Sequence, residues 1–213
     1  NATLATVDAM KEAFTAFLAE EMGVPASEIS FDDERFRAEG SNLTPTMLEV
    51  AQMAREKGRD DLLTHEERKK LDARSFPNGC HVSEVVIDPD TGVVTVDRYT
   101  VVDDFGNLIN PMLAEGQVHG GVAQGIGQAI TEHVVFDKDG QLLTATFMDY
   151  AMPRADGVPN ISFTSEPVPS TANIMGMKGC GEAGTVGALA AVANAVQDAL
   201  WDRGVRTVDM PFT

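Results

Sequence analysis

A glycine-rich stretch, MKGCGEAGTVGALAAVANAV (residues 177–196), holds a single glutamate, Glu182, between glycines. Gly179, Gly181 and Gly184 allow backbone conformations that other residues avoid, and they let a bound group approach the chain closely. In a desolvated pocket, a glutamate can have its pKa raised toward neutrality and act as a general base that accepts a proton from a nucleophilic hydroxyl group. The structural alternative is that Glu182 only interacts with the free amides at the start of the following helix.

Cys180, two residues before Glu182, offers a different chemistry, that of a thiol nucleophile. His119 would then be its base, and glycine amides would form the oxyanion hole. No local cysteine-hydrolase motif accompanies Cys180, and a small buried thiol is the commoner role for such a residue. His119 could be a metal ligand, but no second His or Cys stands at ligand spacing, which favours a structural histidine or one that supports a site from outside its direct contacts.

A second glycine-rich stretch, residues 111–130, is predicted to be a helix although it contains five glycines. Each glycine costs about 1 kcal/mol relative to Ala in a helix interior, so another backbone or a ligand must approach closely. Gln117, Gly121, Gln124 and Gln128 recur at steps of four, three and four, which places them on one face. Carboxamides donate and accept hydrogen bonds and would suit a polar heterocycle. The alternative is a close helix–helix contact with exposed glutamines.

Residues 1–73 are predicted to form one domain of helices with a small hairpin, in which residues 24–73 show no site signature. Apolar residues at helical spacing predict a first helix that ends at Gly23. The stretch EISFDDERFRAEG alternates in polarity and predicts a two-stranded hairpin. A second helix is predicted in LTPTMLEVAQMAREKG, and DDLLTHEERKKLDARSF is predicted to be a third helix or a mobile connection.

Residues 74–213 are predicted to be β-rich at first and helical at the end. The predicted elements are a long hairpin in CHVSEVVIDPDTGVVTVDRYTVVDD, a helix from Asn110-Pro111, a second hairpin in VVFDKDGQLLTATF, a strand in ISFTSEPVP and a final helix that Thr185 caps and Gly204 ends. Helices and hairpins in runs, without regular βαβ alternation, indicate an α+β fold in which helices pack on β-hairpin sheets.

The composition restricts the classes of partner. Sixteen Lys and Arg against 33 Asp and Glu give the 213-residue chain a formal charge of −17, which argues against binding nucleic acid. No apolar stretch approaches the roughly 20 residues of a membrane span. The two cysteines, Cys80 and Cys180, form no CxxC motif, and the simplest expectation is a reducing, cytoplasmic location.

Three motifs in this order and spacing resemble the C-terminal part of the large, molybdopterin-binding subunit of the molybdenum hydroxylases. They are VVDDFGNLINPMLAEGQVHGGVAQGIGQA, FMDYAMPRAD and MGMKGCGEAGTVGA. That family includes xanthine dehydrogenase, aldehyde oxidase and carbon monoxide dehydrogenase. The resemblance runs from about His81 to Pro211, and residues 1–73 fit as the preceding part of the same molybdopterin-binding region.

The resemblance implies roles for individual residues. Glu182 matches the glutamate of the family's KGxGE motif, the base that deprotonates a hydroxyl group on molybdenum during hydroxylation. Gln124 matches the glutamine of the QGxG motif, which hydrogen-bonds the pterin cofactor. The further cofactor contacts that the resemblance implies are Gln117, Gly121, Gly125, Lys178, Gly179, Cys180 and Gly181. In this family the pterin dithiolene holds molybdenum, so no protein metal ligand is expected.

The resemblance also implies partners and a class of reaction. It implies a molybdenum-molybdopterin cofactor, of the dinucleotide form, with iron-sulfur clusters and FAD on partner domains or subunits of an oligomer. GEAGT differs from the GESPH pattern of carbon monoxide dehydrogenase, which favours a small-molecule substrate such as an aldehyde or an N-heterocycle. Because upstream segments of the family's cofactor site are missing, we expect this chain to need the remainder of the large subunit for activity. The alternative is a non-catalytic assembly or cofactor-binding module.

Overall fold

The computed structural model describes residues 1–71 and 73–212, which fall into two compact units, Asn1–Asp72 and Ala73–Thr213. Each unit has its own hydrophobic core. None of the helices in the described residues combines the length and the apolar character that crossing a bilayer requires.

The first unit begins with helix α1 (Ala2–Met22), which ends where the sequence predicts. Gly23 adopts a left-handed conformation with φ +68°, and its N–H donates to the Ala19 carbonyl. The predicted hairpin follows as antiparallel strands β1 (Ile29–Asp32) and β2 (Arg35–Ala38). Both predictions are confirmed.

Helix α2 (Met47–Glu56) confirms the second predicted helix of this unit. Thr46 caps it: the Thr46 hydroxyl accepts from the Glu49 N–H, and the Glu49 carboxylate accepts from the Thr46 N–H. The core of the unit comprises Phe14, Phe17, Leu18, Phe36, Val50, Ala54 and Leu62.

For the charged stretch after α2, the sequence predicted either a third helix or a mobile connection. The third helix is wrong for the described residues. The chain makes a short 3-10 turn at Asp60–Leu63, and residues 64–71 and 73–77 contain no helix or strand. Seven of the eight residues 64–71 are exposed, so no apolar face is present to stabilise a helix by packing. Asp72, within the same stretch, lies outside the described residues.

The second unit is built on a three-stranded sheet in the order β3-β4-β5. Strands β3 (Asn78–Ile87) and β4 (Val94–Asp104) form the predicted long antiparallel hairpin. Strand β5 (Ile161–Ser165) is also confirmed, but it pairs with β4 in parallel, which the sequence did not predict. Val96, Tyr99, Val101 and Asp103 are the buried residues of β4, so one face of the sheet is covered.

Helices α3 (Pro111–Ile130) and α4 (Ala183–Trp201) pack against each other, and α4 also packs on β3. Asn110 caps α3 as predicted, since its side-chain oxygen accepts from the Leu113 N–H. The core between helices and sheet comprises Val96, Tyr99, Val101, Phe105, Val118, Val122, Ile126, Ala129, Ala188 and Val192. The mixture of helices and sheets confirms the predicted α+β class.

Two local predictions in this unit are wrong. The stretch 134–147 forms the turn around Gly140, but only one isolated bridge, Phe136 to Leu142, instead of two strands. No third strand pairs with it among the described residues, and isolated hairpins are only marginally stable. The final helix begins at Ala183 with Glu182 as its N-cap residue, because the Thr185 hydroxyl is bonded to Gln124 on α3 instead of capping α4.

Candidate active site

The chain before Glu182 is fixed by backbone hydrogen bonds to the segment that follows β4. The Lys178 N–H donates to the Phe105 carbonyl at 2.8 Å, and the Asn107 N–H donates to the Gly176 carbonyl at 3.0 Å. Gly106 has φ +62°, and a Cβ there would overlap the Gly176 carbonyl, so only glycine allows this approach. The glutamate loop is therefore positioned by the end of a core strand.

An ion pair between Lys178 and Asp104 strengthens the same connection. The Lys178 ammonium binds the Asp104 carboxylate, and both side chains are nearly buried. Burial alone would raise the pKa of Asp104, but hydrogen bonds from Lys178 and from the Val168 and Gly106 N–H groups outweigh it and lower this pKa to about 2. Because its ammonium is committed to Asp104, Lys178 serves here as an anchor of the loop; the predicted contact with a cofactor stays a prediction.

Glu182 itself is exposed at the N-terminus of α4, so the described residues alone do not form the desolvated pocket that the general-base interpretation assumes. Its side chain makes no capping hydrogen bond, although its place at the N-terminus of α4 still permits the helix-dipole interaction of the structural alternative. Gly179 and Gly181 are exposed as well, and a Cβ at either would meet nothing within 4 Å. The carboxylate and the backbone before it are therefore open to a bound group.

The glycines of α3 create a close contact with α4. A Cβ at Gly121 would lie 2.8 Å from Thr185 N, and one at Gly125 would lie 2.6 Å from the Ala188 Cβ. Gly184 mirrors them on α4, since its Cβ would lie 2.6 Å from the Val118 carbonyl oxygen. The buried Gly121 and Gly125 thus serve helix packing, the alternative that the sequence left open, and their predicted cofactor contact stays a prediction.

Two glutamines on α3 bind the segment that contains Glu182. Gln117 donates from Nε2 to the Gly181 carbonyl at 3.0 Å, and Gln124 accepts at Oε1 from the Thr185 hydroxyl at 3.1 Å. The structure therefore brings together three of the predicted site residues, Glu182, Gln117 and Gln124. In the described part of the chain, no side chain or carbonyl occupies the N–H donors of Gln124.

Glu182 lies at the edge of a cleft of ≈ 290 Å³ between β3 and the start of α4. Apolar atoms of Phe76, Pro77 and Val186 contribute to its walls. The polar lining includes His81 and Asp103 in addition to Glu182. The cleft therefore combines apolar walls with one exposed carboxylate at its edge, as small-molecule sites commonly do.

A buried polar cluster of His81, Tyr99 and Asp103, of which His81 and Asp103 line this cleft, was not predicted. His81 Nδ1 lies 2.9 Å from the Tyr99 hydroxyl, and His81 Nε2 lies 3.4 Å from Asp103 Oδ1. Burial, together with the negative charge of Asp103, raises the pKa of Tyr99 and keeps its hydroxyl protonated. The inward positions of β3 and β4 follow from their alternation, so a His and an Asp at such positions were the available signal.

Cys180 and His119, the two residues of the cysteine-nucleophile hypothesis, have separate surroundings. Cys180 is a free, half-buried thiol that packs against the core, and His119 Nε2 lies 3.8 Å from Glu115 on the same helix. No hydrogen bond joins Cys180 to His119 in the described residues, so nothing supports the cysteine-nucleophile hypothesis. Within residues 1–71 and 73–212, no group of three or more His, Cys, Asp or Glu side chains is arranged to hold a metal ion.

Comparison of the sequence with known proteins matches residues 1–159 to the molybdopterin cofactor-binding domain family. The chain is 43% identical over 138 residues to the large subunit of nicotine 6-hydroxylase from Paenarthrobacter nicotinovorans, and 39% identical over 139 residues to the carbon monoxide dehydrogenase large chain of Hydrogenophaga pseudoflava. Each alignment covers 65% of this chain and 17% of the relative. The aligned part thus spans about a sixth of these relatives.

Solved structures extend the likeness to nearly the whole chain. Copper- and molybdenum-containing carbon monoxide dehydrogenase superposes with a TM-score of 0.80 at 30% identity, covering 98% of this chain and 27% of that one. Quinoline 2-oxidoreductase from Pseudomonas putida 86 superposes with a TM-score of 0.75 at 31% identity, covering 97% and 27%. Because the family match spans more than half of the sequence and the fold agrees, this chain belongs to the molybdopterin cofactor-binding domain family of the molybdenum hydroxylases.

Proposed function

We propose that this chain provides the catalytic base and part of the cofactor site of a molybdopterin-dependent hydroxylase. The observation that carries the proposal is the state of Glu182: its carboxylate makes no capping bond, and it lies at a cleft while Gln117 and Gln124 hold the segment around it. A carboxylate whose role was capping would accept hydrogen bonds from the first amides of α4. This one is positioned by neighbours and left open.

The residues present fit a molybdopterin cofactor. The edge of a pterin mixes hydrogen-bond donors and acceptors, which an amide side chain can match. Gln124 uses its oxygen to accept from Thr185, so its N–H groups remain for a ligand, and Gln117 keeps its own oxygen as an acceptor. The exposed backbone at Gly179 and Gly181 allows a bound group to come close. Gln124 is therefore assigned to the pterin, with Gln117 and these glycines beside it.

In the proposed reaction, a substrate C–H group and one water molecule give a C–OH group, two electrons and two protons. When bound, the molybdenum cofactor would supply the two-electron redox chemistry. Glu182 accepts the proton that the water-derived hydroxyl group loses as its oxygen bonds to the substrate carbon. Gln117 holds the Gly181 carbonyl next to Glu182, so the base stays in place.

The substrate and the partners belong to the same proposal. Relatives named for nicotine and quinoline act on N-heterocycles, and together with the GEAGT sequence they favour an N-heterocycle or an aldehyde. A relative named subunit gamma of a dehydrogenase complex supports assembly into a larger enzyme. We extend the proposal to the dinucleotide form of the cofactor, to iron-sulfur and flavin partners, and to a cytoplasmic location, which the two free thiols favour.

A second candidate function is a non-catalytic module that assembles with a larger subunit. The exposed apolar residues Ile109, Met112 and Leu113 at the start of α3 favour an assembly surface of some kind. The two candidates differ in what they require of Glu182, because an assembly module needs no open carboxylate at this cleft.

The decisive experiment replaces Glu182→Gln in the complete enzyme. The amide keeps the shape of the side chain but cannot accept the proton, so we expect kcat to fall by about 100-fold or more with an unchanged molybdenum content. Metal analysis and steady-state kinetics with N-heterocycles and aldehydes measure both quantities. Glu84→Gln, an exposed carboxylate on β3, is the matched control and should keep full activity. Normal turnover of Glu182→Gln would favour the assembly module.

A further inference from the structure

The ring of His81 lies directly beneath α4, at a point where that helix has no side chain. A Cβ built on Gly187 would lie 2.5 Å from His81 Cδ2 and 2.6 Å from Cε1 and Cγ. Real atoms do not approach so closely, so the helix rests on the imidazole only because residue 187 is glycine. Gly187 follows Glu182 by five residues, which is about 7.5 Å along the helix.

The His81 imidazole is also fixed by contacts with two side chains of β4. Its two nitrogens face the Tyr99 hydroxyl and the Asp103 carboxylate, and all three side chains are buried. Asp103 is drawn close to β3 because Gly79, its partner across the hairpin, has no side chain: a Cβ there would overlap the carboxylate. Asp103 Oδ2 has no hydrogen-bond partner in the described residues, and Asp103 Oδ1 lies 3.4 Å from His81 Nε2.

The opposite side of α4 is equally close to its neighbour. Gly184 packs on the backbone of α3 at Val118, and Gly121 packs on the backbone of α4 at Gly184 and Thr185. The first two turns of α4 therefore lie between α3 and the His81 ring, with glycine contacts on both sides. A helix confined in this way cannot shift without breaking one of the two contacts.

We infer that His81 is a positioning residue: clamped by Tyr99 and Asp103, its ring sets the position of the α4 N-terminus and thereby the position of the Glu182 carboxylate. This inference rests on the proposed function of Glu182. It assigns no proton transfer to the imidazole, which acts through the helix that it supports. Small errors in position matter at this place, because a misplacement of about 1 Å can cost about 100-fold in rate.

The test is Gly187→Ala in the complete enzyme, where the added methyl group must push α4 away from His81. We expect kcat to fall by about 10- to 100-fold, with a smaller change in KM and an unchanged molybdenum content. The electron paramagnetic resonance spectrum of Mo(V) should change as well, because the proposed base would be displaced relative to the bound cofactor. Gly157→Ala, where a Cβ would make only an ordinary contact at 3.6 Å, is the control and should match the wild type.

Combining Gly187→Ala with His81→Asn supplies the decisive comparison. The smaller amide makes room for the methyl group and can still bond to the Tyr99 hydroxyl, because an Asn amide reaches the position of the imidazole Nδ1, so most of the lost kcat and the wild-type spectrum should return. A double variant no faster than Gly187→Ala would overturn the inference, as would a normal kcat and spectrum for Gly187→Ala. If Gly187→Ala does not fold, His81→Asn alone serves: lower kcat at full molybdenum content supports the inference, and wild-type kcat and spectrum overturn it.

Failure of this inference and failure of the proposed function are distinguishable. If Glu182→Gln remains active, the base assignment fails whatever Gly187→Ala does. If Glu182→Gln is inactive while Gly187→Ala is normal, only the positioning role of His81 fails.

Discussion

One carboxylate, that of Asp104, connects three separate segments of the second unit. It binds the Lys178 ammonium, and its Oδ1 accepts from the Gly106 N–H and the Val168 N–H at 2.9 Å each. Lys178 is 74 residues away in sequence and only four residues before Glu182. The ionised state of Asp104 therefore stabilises the loop that presents the proposed base.

This ion pair predicts a specific pH dependence of stability. The pKa of Asp104 is about 2 in the folded chain, below the ordinary value of about 3.9, so its ionised form favours folding. The stabilisation is complete above about pH 4 and is lost as the pH falls toward about 2. We expect Asp104→Asn to lower the free energy of unfolding by about 3 kcal/mol near neutral pH, and by progressively less in acid.

Urea unfolding of the wild type and of Asp104→Asn between neutral pH and pH 3 measures this difference. Taking the difference removes the other acidic groups, which titrate in both proteins. Asp97→Asn, an exposed position on the same strand, is the control and should show a small difference at every pH. A constant difference between the wild type and Asp104→Asn would contradict an ionic role for Asp104.

Among single residues, the sequence analysis identified those whose signal comes from neighbours nearby in the chain, and it missed those whose partners are distant in the chain. Glu182 was visible because glycines flank it, and Gln117 and Gln124 because they share one helix face. Asp104 gave no such signal, since Lys178 lies far along the chain. His81 and Asp103 occupy inward strand positions that usually hold apolar residues, and only the paired strands reveal that they meet.

Helices α3 and α4 form the element that carries the site, and glycine sets their separation. The hydrogen bonds from Gln117 to Gly181 and from Thr185 to Gln124 span this contact, so they depend on how close the two helices are. A glycine in this interface costs helix stability, but here the loss is offset by close packing. The exposed Gly120 on the same helix gains no such compensation, since a Cβ there would meet nothing within 4 Å.

Gly125→Ala and Gly120→Ala should therefore change stability in opposite directions. At Gly125 the methyl group would lie 2.6 Å from the Ala188 Cβ and 3.0 Å from Leu189 N, which forces the helices apart and costs about 1–3 kcal/mol. At Gly120 the same change only favours the helix, by up to about 1 kcal/mol. Chemical denaturation of the two variants measures both effects. Stability changes of the same sign in both variants would show that the interface does not require glycine at residue 125.

Element by element, capping and turn signals gave correct predictions where the stabilising contact is local. Gly23 ends α1 and the Asn110-Pro111 pair begins α3, as predicted. Predictions failed where tertiary contacts decide. Thr185 bonds to α3 instead of capping α4, and β5 joins β4 in parallel across more than fifty residues, a pairing that no periodicity within either strand encodes.

For the whole molecule, net charge and exposed apolar surface have opposing effects on association. The formal charge of −17 makes copies of the chain repel one another. Around the start of α3, Ile109, Met112 and Leu113 are 77%, 73% and 67% exposed, which favours contact with another apolar surface. Salt weakens the repulsion, whereas apolar attraction does not depend on charge. The balance between the two can therefore be shifted experimentally.

We expect the isolated chain to self-associate more strongly as salt is added. Raising the ionic strength from about 0.01 M to about 0.15 M shortens the Debye length from about 30 Å to about 8 Å, so like charges are screened while the apolar surface keeps its attraction. Light scattering coupled to size-exclusion chromatography should show the mean mass rising with salt and with protein concentration. Met112→Gln combined with Leu113→Gln should abolish the rise, whereas Leu48→Gln, which removes a residue 84% exposed on α2, should not. A mass independent of salt, or an equal effect of Leu48→Gln, would mean that the start of α3 is not the surface through which copies associate.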